Sequence, residues 1–520
     1  MEERSKLQEK SNKKKRNNYI PVRFWIAIAL IIMETAAVIG IVILCALYIP
    51  YFYIAIFFTQ VFCVLKIINS PENPDYKVPW LLFVLVVPVA GFMIYFMFYN
   101  RKLDRGQIKR IKKIFSQQVD TEDMKTLSEL KSEDKKAYLQ ANQLCKISYS
   151  HLYKNTDAQY FDMGEKLFPA IVEDLKKAEK FIFMEYFIIE EGLFWNTILE
   201  VLKEKAANGV DVRVVYDDVG CMCTLPGDYY KTLRKYGIKA VCFSRLRGQA
   251  DNEFNNRSHR KITVIDGKVG YTGGINLADE YINTIEKHGV WKDVGIRIEG
   301  DAVNQLTSLF LFNYELNVRT AVESFEPYFT DGVSVKNSGY MIPFGDGPGP
   351  IYKRRVAKIA IMNMLNQAEN YVYMMTPYLI IDNELCQCIE NAALRGIDVR
   401  IITPHIPDKK VIFLMTRSHY KRLMDAGVKI YEFEPGFVHA KVYMSDDKYG
   451  IVGTINMDYR SLVHHFENGI WLYNHQVLSQ VKDDIEATLE QSIAIGDEHI
   501  KNTITQRFIS ALVRILSPLL

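Results

Sequence analysis

The chain runs to 520 residues, 49% hydrophobic and 12% aromatic, with a formal net charge of +3 at pH 7. That length accommodates two or three domains. The apolar content excludes an intrinsically disordered chain, and the near-neutral charge lacks the broad basic excess that nucleic-acid binding favours.

From the N-terminus, residues 1–23 form a basic tail in which Lys13, Lys14, Lys15 and Arg16 precede the first apolar run. Residues 24–100 read as a transmembrane region of two or three spans. Phe24 to Leu47, Tyr51 to Ile68 and Val78 to Tyr99 each approach the ~20 residues that cross a bilayer. Trp25, Tyr48, Tyr51, Tyr53, Trp80, Tyr95 and Tyr99 stand near segment ends, as interfacial anchors do. Glu34 interrupts the first stretch; an acidic group at bilayer depth costs ~2.5–3.5 kcal/mol on insertion scales, so it is expected to face other helices or to be protonated.

Between Arg101 and Lys113 seven basic residues meet one Asp, a composition suited to anionic headgroups. Three spans would put this cluster and the basic tail on opposite sides, against the positive-inside rule. The alternative is that one stretch does not cross, as a short hairpin around Pro50 or a re-entrant piece around Pro88.

Residues 101–158 read as a helical connector, followed by an internal repeat. In the first half, 159–330, a buried strand from Phe181 to Ile189 leads to a helix over Thr197 to Ala207, a Gly stop and a strand over Gly209 to Arg213. In the second half, 340–485, Tyr371 to Ile381, Glu384 to Leu394 and Gly396 to Arg400 repeat that order. Gly237-Ile238-Lys239 and Gly427-Val428-Lys429 each open a further strand. Strand, helix, strand, helix, strand predicts an α/β fold written twice. The C-terminal segment 486–520 ends in a helical pattern over Arg507 to Leu520.

Each half then carries H-x-K-x4-D-x6-G-x2-N: His259, Lys261, Asp266, Gly273 and Asn276, and, 180 residues later, His439, Lys441, Asp446, Gly453 and Asn456. Alternation along a strand puts each His and Lys on one face, and a hairpin turning at the Asp returns the Asn beside them. A phosphodiester repels nucleophiles through its anionic oxygens, so a site for it needs cations and a nucleophile together. An attacking imidazole needs its other N–H held by an acceptor; Glu467, 28 residues after His439, and Asp293, 34 after His259, are the candidates. Asp266 and Asp446, grouped with the catalytic motif, also fall at strand-to-turn corners where Asp bonds local backbone.

Eight cysteines show no zinc spacing, and no clustered acidic set, H-E-x-x-H or phosphate-binding glycine loop occurs, so neither metal nor nucleotide cofactor is expected. His464 and His465 could bind a metal as an adjacent pair, with surface or supporting positions the plainer expectation.

The paired motif resembles that of the phospholipase D superfamily, and its surroundings resemble the bacterial cardiolipin synthases. The stretches that carry this are Gly273-Gly274-Ile275-Asn276 to Asp279-Glu280-Tyr281, Trp291-Lys292-Asp293, Thr376-Pro377-Tyr378, Arg417-Ser418-His419-Tyr420, and Gly453 through Arg460-Ser461 to Phe466-Glu467. The resemblance implies two phospholipase D-like α/β/α sandwich domains about a pseudo-twofold axis, behind N-terminal membrane helices in the bacterial plasma membrane. It also implies a two-step transfer in which His259 attacks phosphorus and His439 serves as general acid, then base, an order of the two imidazoles that stays reversible. Lys261, Lys441, Asn276 and Asn456 would hold phosphate, and phosphatidylglycerol and cardiolipin would be the lipids bound. A hydrolase, or transfer to a different alcohol, is the rival reading.

Overall fold

The computed structural model describes residues 22–48, 50–70, 74–98, 105–117, 124–245, 256–318, 322–330, 335 and 339–500. The basic tail and the helix expected over Arg507 to Leu520 lie outside them.

Two α/β halves are built on the same plan. In the first, seven strands lie in the order Thr156–Phe161, Gly295–Gly300, Val269–Gly273, Lys261–Ile265, Phe181–Tyr186, Asp211–Asp217, Lys239–Phe243. The second repeats this as Tyr340–Asp346, Glu467–Tyr473, Tyr449–Gly453, Val442–Ser445, Tyr371–Met375, Asp398–Pro404, Lys429–Phe433, with Ser492–Ala494 added at the edge. Phe181–Tyr186 is buried at every position, as a central strand covered on both faces should be, and pairs parallel with Asp211–Asp217 and antiparallel with the motif strand Lys261–Ile265.

Two boundaries differ from the sequence reading for identifiable reasons. The helix expected to start at Thr197 starts at Leu193, because the Asp279 carboxylate accepts from the backbone N–H of Leu193 at 3.0 Å and of Phe194 at 2.9 Å. That cap comes from 86 residues downstream, so no local signal announces it. The run Tyr371 to Ile381 is not one strand; it breaks at Thr376-Pro377-Tyr378, and Leu379–Ile380 pairs instead with Met457–Asp458.

The sheets share one core, in which Val264, Ile296 and Phe310 of the first half pack with Val442, Val452 and Ile470 of the second. The helix Val303–Asn317 is buried around its whole circumference from Val303 to Glu315, which accounts for its lack of a polar face.

The N-terminal region holds helices α1 (Val22–Tyr48), α2 (Pro50–Ile68), α3 (Pro74–Val86), α4 (Pro88–Phe98) and α5 (Arg105–Phe115). The expectation of two or three membrane spans is not supported among the described residues, and the third stretch follows the alternative of a piece that turns at Pro88. The third apolar stretch folds back at Val87: a Cβ on Gly91 would lie 2.5 Å from the Phe83 carbonyl oxygen, eight residues away, so α3 and α4 form a tight hairpin. At 13 and 11 residues they rise only ~20 and ~16 Å. Pro88 supplies no N–H to the preceding turn, and Gln60 of α2 donates instead to the carbonyls of Val84 and Leu85 at 3.1 and 3.2 Å. Side chains at the ends of α1 and α2 are outside the described set, and among the described residues no helix is long and apolar enough to cross a membrane. Glu34 is exposed on α1 rather than packed against a neighbouring helix.

Candidate active site

Two short inter-half pairings create the site. Val290–Lys292 runs parallel to Gly436–Val438, and the backbone N–H of His439 donates to the Lys292 carbonyl at 2.7 Å. On the other side Ser258 bridges Phe466, and the His259 N–H donates to the Phe466 carbonyl at 2.9 Å. Each pairing delivers one motif His next to a carboxylate of the opposite half.

The carboxylates are therefore exchanged. His259 Nδ1 lies 3.0 Å from both oxygens of Glu467, and His439 Nδ1 lies 2.6 Å from Asp293 Oδ2. With Nδ1 occupied, Nε2 is the free nitrogen of each ring. Both rings, both carboxylates and both motif lysines are buried.

Burial pushes His259 down to about 3 against the pull of Glu467, so its ring is neutral. Burial alone would raise Glu467, but the His259 ring beside it holds that carboxyl well below its ordinary range. The second pair differs: burial pushes Asp293 up to about 7, with Lys441 pulling the other way. Burial, then Lys441, pushes His439 well below its ordinary value. Burial lowers Lys261 to about 7 and Lys441 to about 8, and each lysine lies within electrostatic reach of carboxylates from both halves. That mutual reach places the two motifs in one site.

Lys441 Nζ sits 2.8 Å from His439 Nδ1 and also bonds the His439 carbonyl. An Nδ1–H that donates to Asp293 cannot accept from Lys441, so the carbonyl is the lysine's partner; Lys261 makes the matching bond to the His259 carbonyl at 2.6 Å.

The two Asn are not equivalent. Asn276 accepts from the Ile188 N–H at 3.0 Å and donates to the Tyr281 hydroxyl at 2.7 Å, leaving one amide hydrogen uncommitted. The side-chain oxygen of Asn456 is buried without a hydrogen-bond partner.

Asp266 and Asp446 take no part in this cluster, and their grouping with the catalytic residues is corrected. Asp266 accepts from the backbone N–H of Glu179, Lys180 and Phe181 at 2.8–2.9 Å, and Asp446 from Glu369, Asn370 and Tyr371 at the same distances. Each stands at the far end of its motif strand, roughly 20 Å from the His at ~3.3 Å per residue.

Of the other supports, Phe187 and Phe437 were not singled out from sequence. Thr454 donates to Glu467 Oε2, and Ser461 donates to Oε1 at 2.7 Å. Tyr281, Trp291 and Phe437 wall His439 at ring-centroid distances of 5.3, 5.5 and 5.9 Å, while Phe187 faces His259 at 5.1 Å. Ser461 and Trp291 lie in the stretches that carried the resemblance, which was the available signal. His259, His465 and Glu467 are the group of metal-capable side chains found among the described residues.

Comparison with known proteins agrees with this geometry. The family model described as cardiolipin synthase, PLD-like domain, matches residues 171–305 and 361–489, and a phospholipase D-nuclease N-terminal model matches 59–98. The Bacillus cereus cardiolipin synthase 2 is 32% identical, over 88% of this chain and 89% of its own. The chain belongs to the cardiolipin synthase family of the phospholipase D superfamily. A Staphylococcus aureus cardiolipin synthase is likewise 32% identical, over 85% of this chain and 90% of its own. An uncharacterized Streptococcus mutans protein is 43% identical, over 88% and 99%. The phosphatidylserine synthase structure from Haemophilus influenzae shares the fold, with a TM-score of 0.55 at 15% identity, covering 74% of this chain and 98% of that one. As a member of this family the protein is an enzyme, a phospholipid phosphatidyltransferase.

Proposed function

We propose that the protein makes cardiolipin from two molecules of phosphatidylglycerol by way of a phosphatidyl-histidine. The observation that carries the reading is the exchanged pair of carboxylate-held imidazoles, each with Nε2 free, beside two lysines. The ionised Glu467 keeps the proton of His259 on Nδ1, leaving a lone pair on Nε2 to attack phosphorus. As that bond forms, the bond to the glycerol oxygen breaks, and the leaving oxygen takes the Nε2 proton of His439 in its doubly protonated form, whose Nδ1–H stays on Asp293; the ring is left neutral with a lone pair on Nε2. His439 then takes the proton from a glycerol hydroxyl of the second phosphatidylglycerol, whose oxygen attacks phosphorus and frees His259. One phosphodiester replaces another, so no nucleotide is consumed. Asp293, with its carboxyl near neutrality, suits the ring that carries protons, and the lysines offset the phosphate charge.

The helices of 22–98 serve in this reading to seat the enzyme in lipid. The exposed faces of α1 and α2 carry Ile31, Ile32, Ile39, Phe57, Phe58 and Phe62, and Gln60 satisfies the carbonyls freed by Pro88, as a dry environment demands. Asp75, at the start of α3, accepts from the Asn383 N–H at 2.9 Å and the Tyr459 hydroxyl at 3.1 Å, joining the bundle to the catalytic body close to the site.

Purified protein in vesicles holding phosphatidylglycerol alone should yield cardiolipin and free glycerol in equal amounts by mass spectrometry. Phosphatidic acid without cardiolipin would reassign the protein as a hydrolase.

A further inference from the structure

A third imidazole stands against the carboxylate that holds His259. His465 closes the short π-helical turn Arg460–His464, its N–H donating to the Arg460 carbonyl at 2.9 Å. Its ring lies 5.4 Å from the His259 ring, and Phe187 packs against both. His465 Nδ1 is 3.7 Å from Glu467 Oε1, too far for a hydrogen bond, and is buried with no hydrogen-bond partner.

The mechanism gives this nitrogen nothing to do, yet its spacing has a chemical meaning. One ring nitrogen each of His259 and His465 and a Glu467 oxygen all lie within 4.8 Å of one another, and the two Nδ1 atoms stand 3.0 and 3.7 Å from Glu467 Oε1. A tetrahedral ion with ligands at ~2.0–2.1 Å needs donors ~3.3 Å apart. The bonds from Thr454 and Ser461 hold the carboxylate in place, as the partners of metal ligands do.

We propose that His259, His465 and Glu467 form an inhibitory site for a zinc-class divalent cation. Two neutral imidazoles and one carboxylate suit such an ion, while the nearby charge of Lys261 opposes it, so the site is one for reversible occupancy. The cation takes the lone pair at His259 Nδ1. The ring proton then resides on Nε2, no proton is released from the ring, and Nε2 has no lone pair with which to attack phosphorus. Glu467 changes from accepting the Nδ1–H to ligating the ion. The inhibitory consequence rests on His259 being the nucleophile of the proposed function; the binding does not.

The test uses the full chain in detergent or vesicles. Co²⁺ is titrated and read by the visible absorption of a tetrahedral site, Zn²⁺ is used to displace it, and phosphatidylglycerol turnover is followed with Zn²⁺ and then with a chelator. One Co²⁺ per chain should bind, and Zn²⁺ inhibition should reverse on chelation. His465→Ala should weaken both Co²⁺ binding and Zn²⁺ inhibition at least about tenfold relative to each protein's own metal-free rate; His465→Phe, which keeps the ring volume, replaces it should the alanine variant not fold. Absence of Co²⁺ binding, or equal Zn²⁺ sensitivity in wild type and variant, would overturn the site. His465-dependent Co²⁺ binding in a protein that makes no cardiolipin would uphold the site and defeat the proposed function instead.

Discussion

At the residue scale, the two imidazoles differ in environment, and in the proposed mechanism that difference divides the chemistry between the halves. Glu467→Gln removes the acceptor that fixes the His259 tautomer and should lower kcat by about 10²–10⁴-fold, the range for a wrongly held imidazole; a loss below tenfold would show that Glu467 does not set the tautomer. The pH profile follows from the shifted groups. Activity should rise as pH passes the Asp293 value of about 7, where its carboxylate becomes available to His439. It should fall as Lys261, at about 7, and Lys441, at about 8, lose their protons. The result is a narrow optimum in kcat/KM between those limbs. Lys261→Arg keeps its charge at all these pH values and should move the alkaline limb upward; an unmoved limb would remove Lys261 from phosphate binding. His, Lys and Asn were legible in the sequence because the motif repeats, and both carboxylates because an imidazole nucleophile needs an acceptor for its second nitrogen. Which carboxylate serves which ring was not, since each lies closer in sequence to the His it does not touch.

At the element scale, the repeat order and the central strands could be read from apolar runs closed by Gly, because buried parallel strands need no alternation. What escaped was set by distant partners: the Asp279 cap on the helix at Leu193, and the Thr376-Pro377-Tyr378 break, whose short strand finds Met457–Asp458 in place of the main sheet. The motif Asp belongs to this scale too. Asp266→Ala strips an acceptor from three backbone N–H groups and should cost on the order of 2–3 kcal/mol, seen as a lowered Tm. An unchanged Tm with lost turnover would return Asp266 to the chemistry. Within the hairpin, Gln60→Leu leaves the Val84 and Leu85 carbonyls without their donor and should destabilise the bundle by about 1–3 kcal/mol in a detergent unfolding series.

At the scale of the whole molecule, the site exists only because the halves interleave: one shared core, two short inter-half ladders, and carboxylates exchanged across them. Apolar content announced the N-terminal region and Pro88 marked where a re-entrant piece could turn, while the closeness of the turn depends on Gly91 meeting Phe83 and on a glutamine from α2. The covalent step is the claim on which everything functional turns. It is tested most directly by acid-quenching the enzyme during turnover of phosphatidylglycerol and locating the adduct by peptide mass spectrometry. The account predicts a phosphatidyl group on the peptide containing His259, absent from His259→Ala. A phosphatidyl group on His439, or steady cardiolipin synthesis by His259→Ala, would contradict it.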